Sequence, residues 1–281
     1  MPVPLSSSES TVTSICSEQQ TTNVRGRTWV LLRGLLRSRF HWHKFPHLLA
    51  QQPWVDRILQ PELAGNGERS HDITPNGITA MMEDLRAQVL PQLAQDQKVH
   101  LLAISMGAMI ATEWARLYPH EIAEMHLINT SFGRYSSPWE RMRPLALYEL
   151  LKVAITTRLN PAALEAAILA ATVNQRIPAD VLGEWIRFAW QHPQGWRNTL
   201  TQIWSASRYQ GLEQAPIKRT FIYTCQHDRL VSSRASERIA DHWRKPLHCH
   251  TTAGHDLPLE DPAWLLERIA QSTANSDTRI V

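Results

Sequence analysis

Short β-prone runs alternate with helical segments in the first and last thirds of this chain, and this order restricts the fold more than any other feature. The predicted strands are residues 28–32, 57–60, 98–104, 123–129, 219–224 and 247–251. The helices predicted around them are residues 42–51, 78–93, 106–117 and 232–242, and a last helix begins with Asp261 as N-cap and Pro262 in its first turn. The alternation favours the α/β class, a mostly parallel central sheet with helices on both faces.

The alternation stops between Gly133 and about Leu212, where only helical segments are predicted. These segments are residues 139–159, 161–173, 180–191 and 196–209. An all-helical block inside an α/β domain is typical of an inserted cap. The predicted organisation is a disordered leader (1–22), a first core part (23–132), the helical cap (133–213), a second core part (214–274) and a C-terminal tail (275–281). The chain is expected to fray from Ser272 onward.

Composition excludes several other classes of protein. Hydrophobic residues make up 43% of the chain and charged residues 20%, so a substantial core can form. A net charge of +3, with scattered Lys and Arg, does not indicate nucleic-acid binding, and no run of about 20 apolar residues predicts a membrane span. Cys16, Cys225 and Cys249 form no paired framework, and no secretory signal is evident, so we expect reduced thiols and a cytoplasmic protein.

The junction between strand 98–104 and helix 106–117 places a serine between the two elements. Ser105 is flanked two positions away by Ala103 and Gly107, and small residues are needed there because strand and helix nearly touch. This arrangement is the context of a nucleophile elbow, in which a sharp turn exposes the hydroxyl above the sheet. Alone, such a short pattern is more often a structural turn than a catalytic one.

A nucleophilic serine requires a base and a group that orients the base. Asp228 follows strand 219–224, and His255 follows strand 247–251, so both are expected at the same edge of the sheet as Ser105. The order Ser, Asp, His along the chain is the one expected for this architecture. The competing interpretation is a turn aspartate and a surface histidine. For the oxyanion hole, the sequence favours the N–H groups of Met106 and Leu35.

These segments together resemble the α/β-hydrolases with a helical cap, within the esterase, lipase and cofactor-free perhydrolase group. The resemblance spans roughly residues 25–272 and rests on the segments Arg33-Gly34-Leu35, Glu62-Leu63-Ala64-Gly65-Asn66-Gly67, Ala103–Gly107, Asp228 and Gly254-His255. It implies Ser105 as nucleophile, His255 as base, Asp228 as acid, and no cofactor. Haloalkane dehalogenases and epoxide hydrolases resemble this scaffold but use an aspartate nucleophile, which residue 105 is not.

Two residues depart from the family's usual pattern. Ala103 stands where glycine is commoner at the elbow, and Arg33 stands where histidine is usual before the oxyanion turn. Arg33 could favour an anionic substrate or point outward, and we favour the outward orientation. Some branches of the family draw the acid from the end of the fourth strand. No carboxylate occurs between Leu127 and Trp139, which supports Asp228.

The cap is expected to set specificity. Between Gly133 and Leu212 it holds nine Arg or Lys and five Asp or Glu, a net charge of +4. One interpretation is an apolar acyl pocket with a basic rim that could meet an acidic acyl carrier protein through Arg134, Arg141 and Arg143. Arg33 and Trp139 are further candidates for substrate binding. The other interpretation, which we favour, is ordinary helix packing with arginines extended to solvent.

The sequence therefore predicts hydrolysis of a small acyl ester or thioester through an acyl-enzyme on Ser105. A perhydrolase or C–C bond hydrolase with the same three residues remains an alternative, as does a weakly catalytic ligand-binding receptor on the same fold. No metal is predicted, because the pairs His41/His43 and His248/His250 have no further ligands at zinc spacing. The loop at Gly65–Gly67 lacks the pattern of a nucleotide site.

Overall fold

The sheet is the frame that positions every candidate residue. The computed structural model describes residues 26–158, 160–175 and 178–277. Its strands are β1 (Arg27–Leu32), β2 (Val55–Leu59), β3 (Val99–Ile104), β4 (Ile122–Ile128), β5 (Thr220–Cys225) and β6 (Leu247–His250). All neighbouring strands pair in parallel, in the order β2-β1-β3-β4-β5-β6. The chain leaves β1 toward β2 on one side and places β3 on the other, so the order reverses beside β1, where open α/β sheets form their binding crevice.

Helices cover both faces of this sheet. They are α1 (Phe45–Ala50), α2 (Ile78–Val89), α3 (Met106–Leu117), α4 (Pro138–Arg141), α5 (Pro144–Thr156), α6 (Pro161–Thr172), α7 (Ala179–Gln191), α8 (Trp196–Arg208), α9 (Ser233–Trp243), α10 (Leu257–Glu260) and α11 (Pro262–Asp277). Leu101 and Ala103 of β3 pack with α2, α3 and α9, whereas Leu102 and Ile104 pack with α1 and α11. The strand is buried on both faces, as its mostly apolar sequence predicts.

The predicted α/β class and its helical insertion are confirmed. Between β4 and β5 the described residues form helices only, α4 to α8, all inside the predicted cap boundaries 133–213. In the described part of the chain, no helix is both long and apolar enough to cross a membrane.

Several predicted boundaries differ from the structure, and two of the differences are large. The single helix predicted over residues 139–159 is two helices, because Pro144 disfavours the α conformation at Arg143, whose backbone is extended (φ −61°, ψ 132°). At the other end, α11 continues to Asp277, beyond the frayed end predicted from Ser272. The predicted leader, residues 1–22, lies outside the described residues.

Candidate active site

Ser105 lies at the predicted strand-to-helix turn. It separates the end of β3 from the start of α3 and adopts φ 57° and ψ −120°. A non-glycine residue with positive φ is uncommon, and such strain persists only where the surroundings enforce it. Ala103, the departure from the usual glycine, is fully buried in the core beside this turn. The backbone thus has the sharp geometry that a nucleophile elbow requires.

The elbow leaves room only for small residues. A Cβ atom at Gly107 would lie 2.4 Å from the carbonyl oxygen of Leu32 and 2.5 Å from that of Arg33. A Cβ atom at Gly34 would lie 3.0 Å from the Cβ of Ser105 and 3.6 Å from its hydroxyl oxygen. The turn after β1 therefore packs directly against the serine side chain.

Asp228 and His255 form a direct buried contact. Nδ1 of the His255 imidazole lies 2.6 Å from a carboxylate oxygen of Asp228. His255 is 5% exposed and Asp228 is 2% exposed. The other carboxylate oxygen accepts hydrogen bonds from the backbone N–H groups of Leu230 (2.8 Å) and Val231 (2.9 Å). These bonds fix the carboxylate, and the carboxylate selects the tautomer with the proton on Nδ1, leaving Nε2 as the acceptor.

Asn129 joins the ends of β4 and β5 to the histidine loop, a role that sequence reasoning missed. Its side-chain amide donates to the carbonyl of His255 (2.8 Å) and accepts from the N–H of Cys225 (2.9 Å). One residue earlier, the carbonyl of Ile128 accepts from the N–H of Ser105 (2.9 Å). The sequence signal was an Asn at a strand end, a residue that tolerates the positive φ of 47° found there. Ser105 and the His255 loop are thus held by consecutive residues of one strand end.

The two residues predicted for the oxyanion hole flank the serine. Met106 is the first residue of α3, where backbone N–H groups have no partner within the helix and the helix dipole favours negative charge. Leu35 follows Gly34 in the turn that packs against Ser105. The next N–H along, that of Leu36, donates to Gln202 of α8 (3.1 Å), so a cap helix holds this turn.

Arg33 does not point outward, which corrects the orientation favoured from the sequence. Its guanidinium makes two hydrogen bonds to the Asp256 carboxylate (3.1 and 2.7 Å) and lies over the Trp42 ring, and both charged side chains are buried. Burial alone would raise the pKa of Asp256, but the charge and hydrogen bonds of Arg33 outweigh it and lower that pKa. Because Asp256 follows His255, this pair ties the oxyanion turn to the histidine loop.

A second buried ion pair joins this part of the core to the cap. Arg37 donates to Glu165 of α6 (2.6 Å), and its guanidinium lies over the Trp185 ring of α7. His41 is buried beside them, and its pKa is well below the usual value because of that burial and of the charges of Arg37 and Arg33. In this cluster the charge of Arg37 is therefore paired with that of Glu165, and the His41 imidazole beside them is neutral.

The predicted cap residues Trp139 and Arg143 lie near the start of the helical insertion along the chain. Trp139 is on α4 and is 65% exposed. The backbone N–H of Arg143 donates to the carbonyl of Leu230 (2.9 Å), in the loop that holds Asp228. The start of α5 is therefore fastened to the acid loop.

Arg134 and Arg141 are bound within the chain. Arg134 pairs with Glu213 (3.0 Å) at the surface. Arg141 donates to the last carbonyls of α8, those of Ala206 and Ser207, and burial lowers the pKa of its guanidinium. These contacts join the two ends of the cap. Within the described residues, no group of three or more His, Cys, Asp or Glu side chains is placed to hold a metal ion.

Comparison with known proteins points to one fold. A family model described as the alpha/beta hydrolase fold matches residues 29–262. No curated protein sequence matches the chain. A thermophilic esterase from Thermogutta terrifontis is 21% identical, with a TM-score of 0.67 and coverage of 89% of this chain and 90% of its own. Cfl2 from Burkholderia cenocepacia is 18% identical (TM-score 0.70, 88% of each chain). The esterase RhEst1 from Rhodococcus sp. ECU1013 is 18% identical (TM-score 0.66, 89% and 90%). At these identities the structures are similar to this chain in fold.

Proposed function

The chain belongs to the α/β-hydrolase fold family, and we propose that it is a serine hydrolase that cleaves a carboxylic ester or thioester. The observation that carries this proposal is the 2.6 Å contact between Asp228 and His255 at the sheet edge where Ser105 occupies a strained turn. A buried aspartate held by two backbone N–H groups and aimed at one imidazole nitrogen has the geometry of an orienting acid. The esterases among the solved structures of this fold also support hydrolysis.

The proposed reaction has two halves. In the first, the Ser105 hydroxyl attacks the acyl carbonyl while Nε2 of His255 takes its proton, and Asp228 stabilises the imidazolium that forms. The N–H groups of Leu35 and Met106 bind the oxyanion of the tetrahedral intermediate. His255 then gives its proton to the leaving alcohol or thiol. In the second half, His255 takes a proton from water, and the resulting hydroxide attacks the acyl-enzyme. His255 then returns this proton to the Ser105 oxygen as the acyl–oxygen bond breaks, which releases the carboxylic acid and regenerates free Ser105.

Covalent labelling tests the nucleophile directly. We expect a fluorophosphonate probe to label the folded protein at Ser105, and we expect the Ser105→Ala variant to lose both labelling and turnover of p-nitrophenyl esters. The expected loss of kcat/KM is about 10⁴-fold or more, because the nucleophile is removed. Ser207→Ala, which changes an exposed serine on α8, is the matched control and should be labelled like the wild type.

The orienting acid gives a second, independent test. Asp228→Asn keeps the shape of the side chain but removes the charge that selects the imidazole tautomer, so kcat should fall by roughly 10³-fold or more. Labelling at another residue, or full turnover by Ser105→Ala, would overturn the proposal. Saturable ester binding without any turnover by the wild type would instead favour a receptor.

A further inference from the structure

Helix α8 packs on the core through its polar side. Gln202 and Ser205 are buried, and Asn198 is half-buried. These positions are four and three residues apart, so they form one side of the helix. Each accepts a hydrogen bond from a core backbone N–H: Asn198 from Thr74 (3.0 Å), Gln202 from Leu36 (3.1 Å) and Ser205 from Gly77 (2.9 Å). Backbone donors therefore meet the inward side of α8 at these three positions, and Ala206 beside them packs against the apolar core.

The opposite side of α8 is apolar and exposed. Its exposed fractions are 60% for Trp196, 56% for Leu200, 43% for Ile203 and 58% for Trp204. Their spacing of four, three and one residues makes a continuous stripe. Contiguous apolar surface of this kind marks an interaction site rather than ordinary exposure.

Cations border this stripe. The guanidinium of Arg197 lies 5.3 Å from the centre of the Trp196 ring, and that of Arg208 lies 5.0 Å from the centre of the Trp204 ring. Both arginines are exposed, and the sequence of α8 contains no Asp or Glu. The outward surface of α8 therefore combines exposed tryptophans, aliphatic side chains and positive charge.

This combination favours a membrane surface over a second copy of the chain as the occupant of this face. A symmetric dimer through α8 would bring the same arginines of both copies together, because a two-fold interface pairs a surface with itself. Tryptophan and arginine beside an apolar stripe instead match the headgroup region of an anionic bilayer, where the rings enter the interface and the cations meet phosphate. We propose that the outward face of α8 docks on an anionic phospholipid membrane surface.

The docked helix would lie close to the candidate active site. The inward side of α8 binds the N–H of Leu36, the residue after Leu35. A helix with its side chains is about 10 Å across, so the membrane surface would lie about one helix diameter from the predicted oxyanion turn. Docking itself requires no hydrolysis, so the proposal does not rest on the proposed function.

Vesicle sedimentation of the full chain tests the proposal. We expect the protein to sediment with vesicles of phosphatidylcholine and phosphatidylglycerol in equal amounts, and much less with phosphatidylcholine alone. Raising the salt concentration should weaken this binding. Trp204→Ser should lower the partition coefficient roughly tenfold, from the lost apolar area. Arg197→Gln and Arg208→Gln should each lower it roughly fivefold. Ser105→Ala should bind like the wild type, which separates docking from catalysis.

Two variants on other helices serve as matched controls. Ile155→Ser alters an exposed apolar residue of α5, and Arg234→Gln alters an exposed arginine of α9. Both should leave the partition coefficient unchanged. No sedimentation by the wild type, or equal losses in Ile155→Ser and Trp204→Ser, would overturn the assignment to α8. Light scattering that shows a dimer, dissociated by Trp204→Ser without vesicles, would identify a second copy as the occupant and also overturn it.

Discussion

Helices α3 and α8 are similar in length and both lie beside the candidate active site, yet they bury opposite kinds of surface. α3 is buried from Met106 to Ala115 between the sheet and α2, and its buried residues are mostly apolar. α8 buries Gln202 and Ser205 and exposes its tryptophans. The surface beneath each helix explains the difference. A sheet face has its backbone groups paired and offers side chains to pack on, whereas the turns beneath α8 offer unpaired N–H groups that require acceptors.

The largest change in the free energy of unfolding is expected when one tryptophan from each helix is replaced and the two variants are compared. Trp114 of α3 is fully buried and donates to Glu121 (2.8 Å), so Trp114→Ala should lower the free energy of unfolding by about 4 kcal/mol through the cavity it leaves. Trp204→Ala on α8 is the matched control, and its change should stay within about 0.5 kcal/mol. Urea unfolding of both variants measures the difference. Similar losses would mean that α8 is packed as α3 is and that the contrast is wrong.

The loop beneath α8 also holds a buried acid whose protonation can be tested. Glu62 is 6% exposed, and burial raises its pKa to about 7, against the hydrogen bond that it accepts from the Arg39 N–H. The folded state therefore binds this proton more tightly than the unfolded state. Stability should fall as the pH rises from the unfolded value of 4.5 through about 7.

Replacing this acid with its neutral analogue should remove the effect. Glu62→Gln should be more stable than the wild type by up to about 3 kcal/mol near pH 8, and the two proteins should be equally stable near pH 4. Denaturant unfolding at both pH values measures this. A constant difference at the two pH values would show that Glu62 does not titrate as its burial implies.

The next largest change in stability is expected when the polar contact between α8 and the core is removed. Gln202→Leu keeps the volume but leaves the Leu36 N–H without its acceptor and removes the amide that donates to Asn66 (2.6 Å). We expect a loss of about 2 kcal/mol in the free energy of unfolding, because buried polar groups lose their partners. Since Leu36 follows Leu35, kcat on esters should fall more than KM changes. An apolar side chain tolerated at this position without loss would contradict the account of α8 given above.

Sequence patterns predicted those parts of the fold that depend on local periodicity. The predicted start of α3 at Met106 and its predicted end near Leu117 agree with the structure, and β4 is displaced by one residue. β-prone runs and a terminal Pro119 mark these ends locally. The short helix α10 was missed, since four residues carry too little periodicity to detect. Ser105, Asp228 and His255 could be chosen because strand order brings their loops to one edge.

Long-range contacts could not be predicted in the same way. Arg33 and Asp256 lie 223 positions apart, and nothing near Arg33 in the sequence indicates a buried carboxylate partner. The orientation of α8 could not be predicted either, because periodicity locates an apolar stripe but does not show which side of the helix faces the core. Only the unpaired N–H groups of distant turns decide that, and their positions follow from the assembled fold.

The smallest expected effect is the most direct test of that orientation. Leu200→Gln places on the outward side of α8 the same amide that Gln202 carries on the inward side. Because Leu200 is 56% exposed, the new amide would be hydrated, and the free energy of unfolding should change by no more than about 0.5 kcal/mol. In an ordinary amphipathic helix the two substitutions would have the opposite ranking, since the leucine would face the core and the glutamine would face water. A loss larger for Leu200→Gln than for Gln202→Leu would therefore reverse the assigned orientation, and urea unfolding of the pair under one set of conditions decides it.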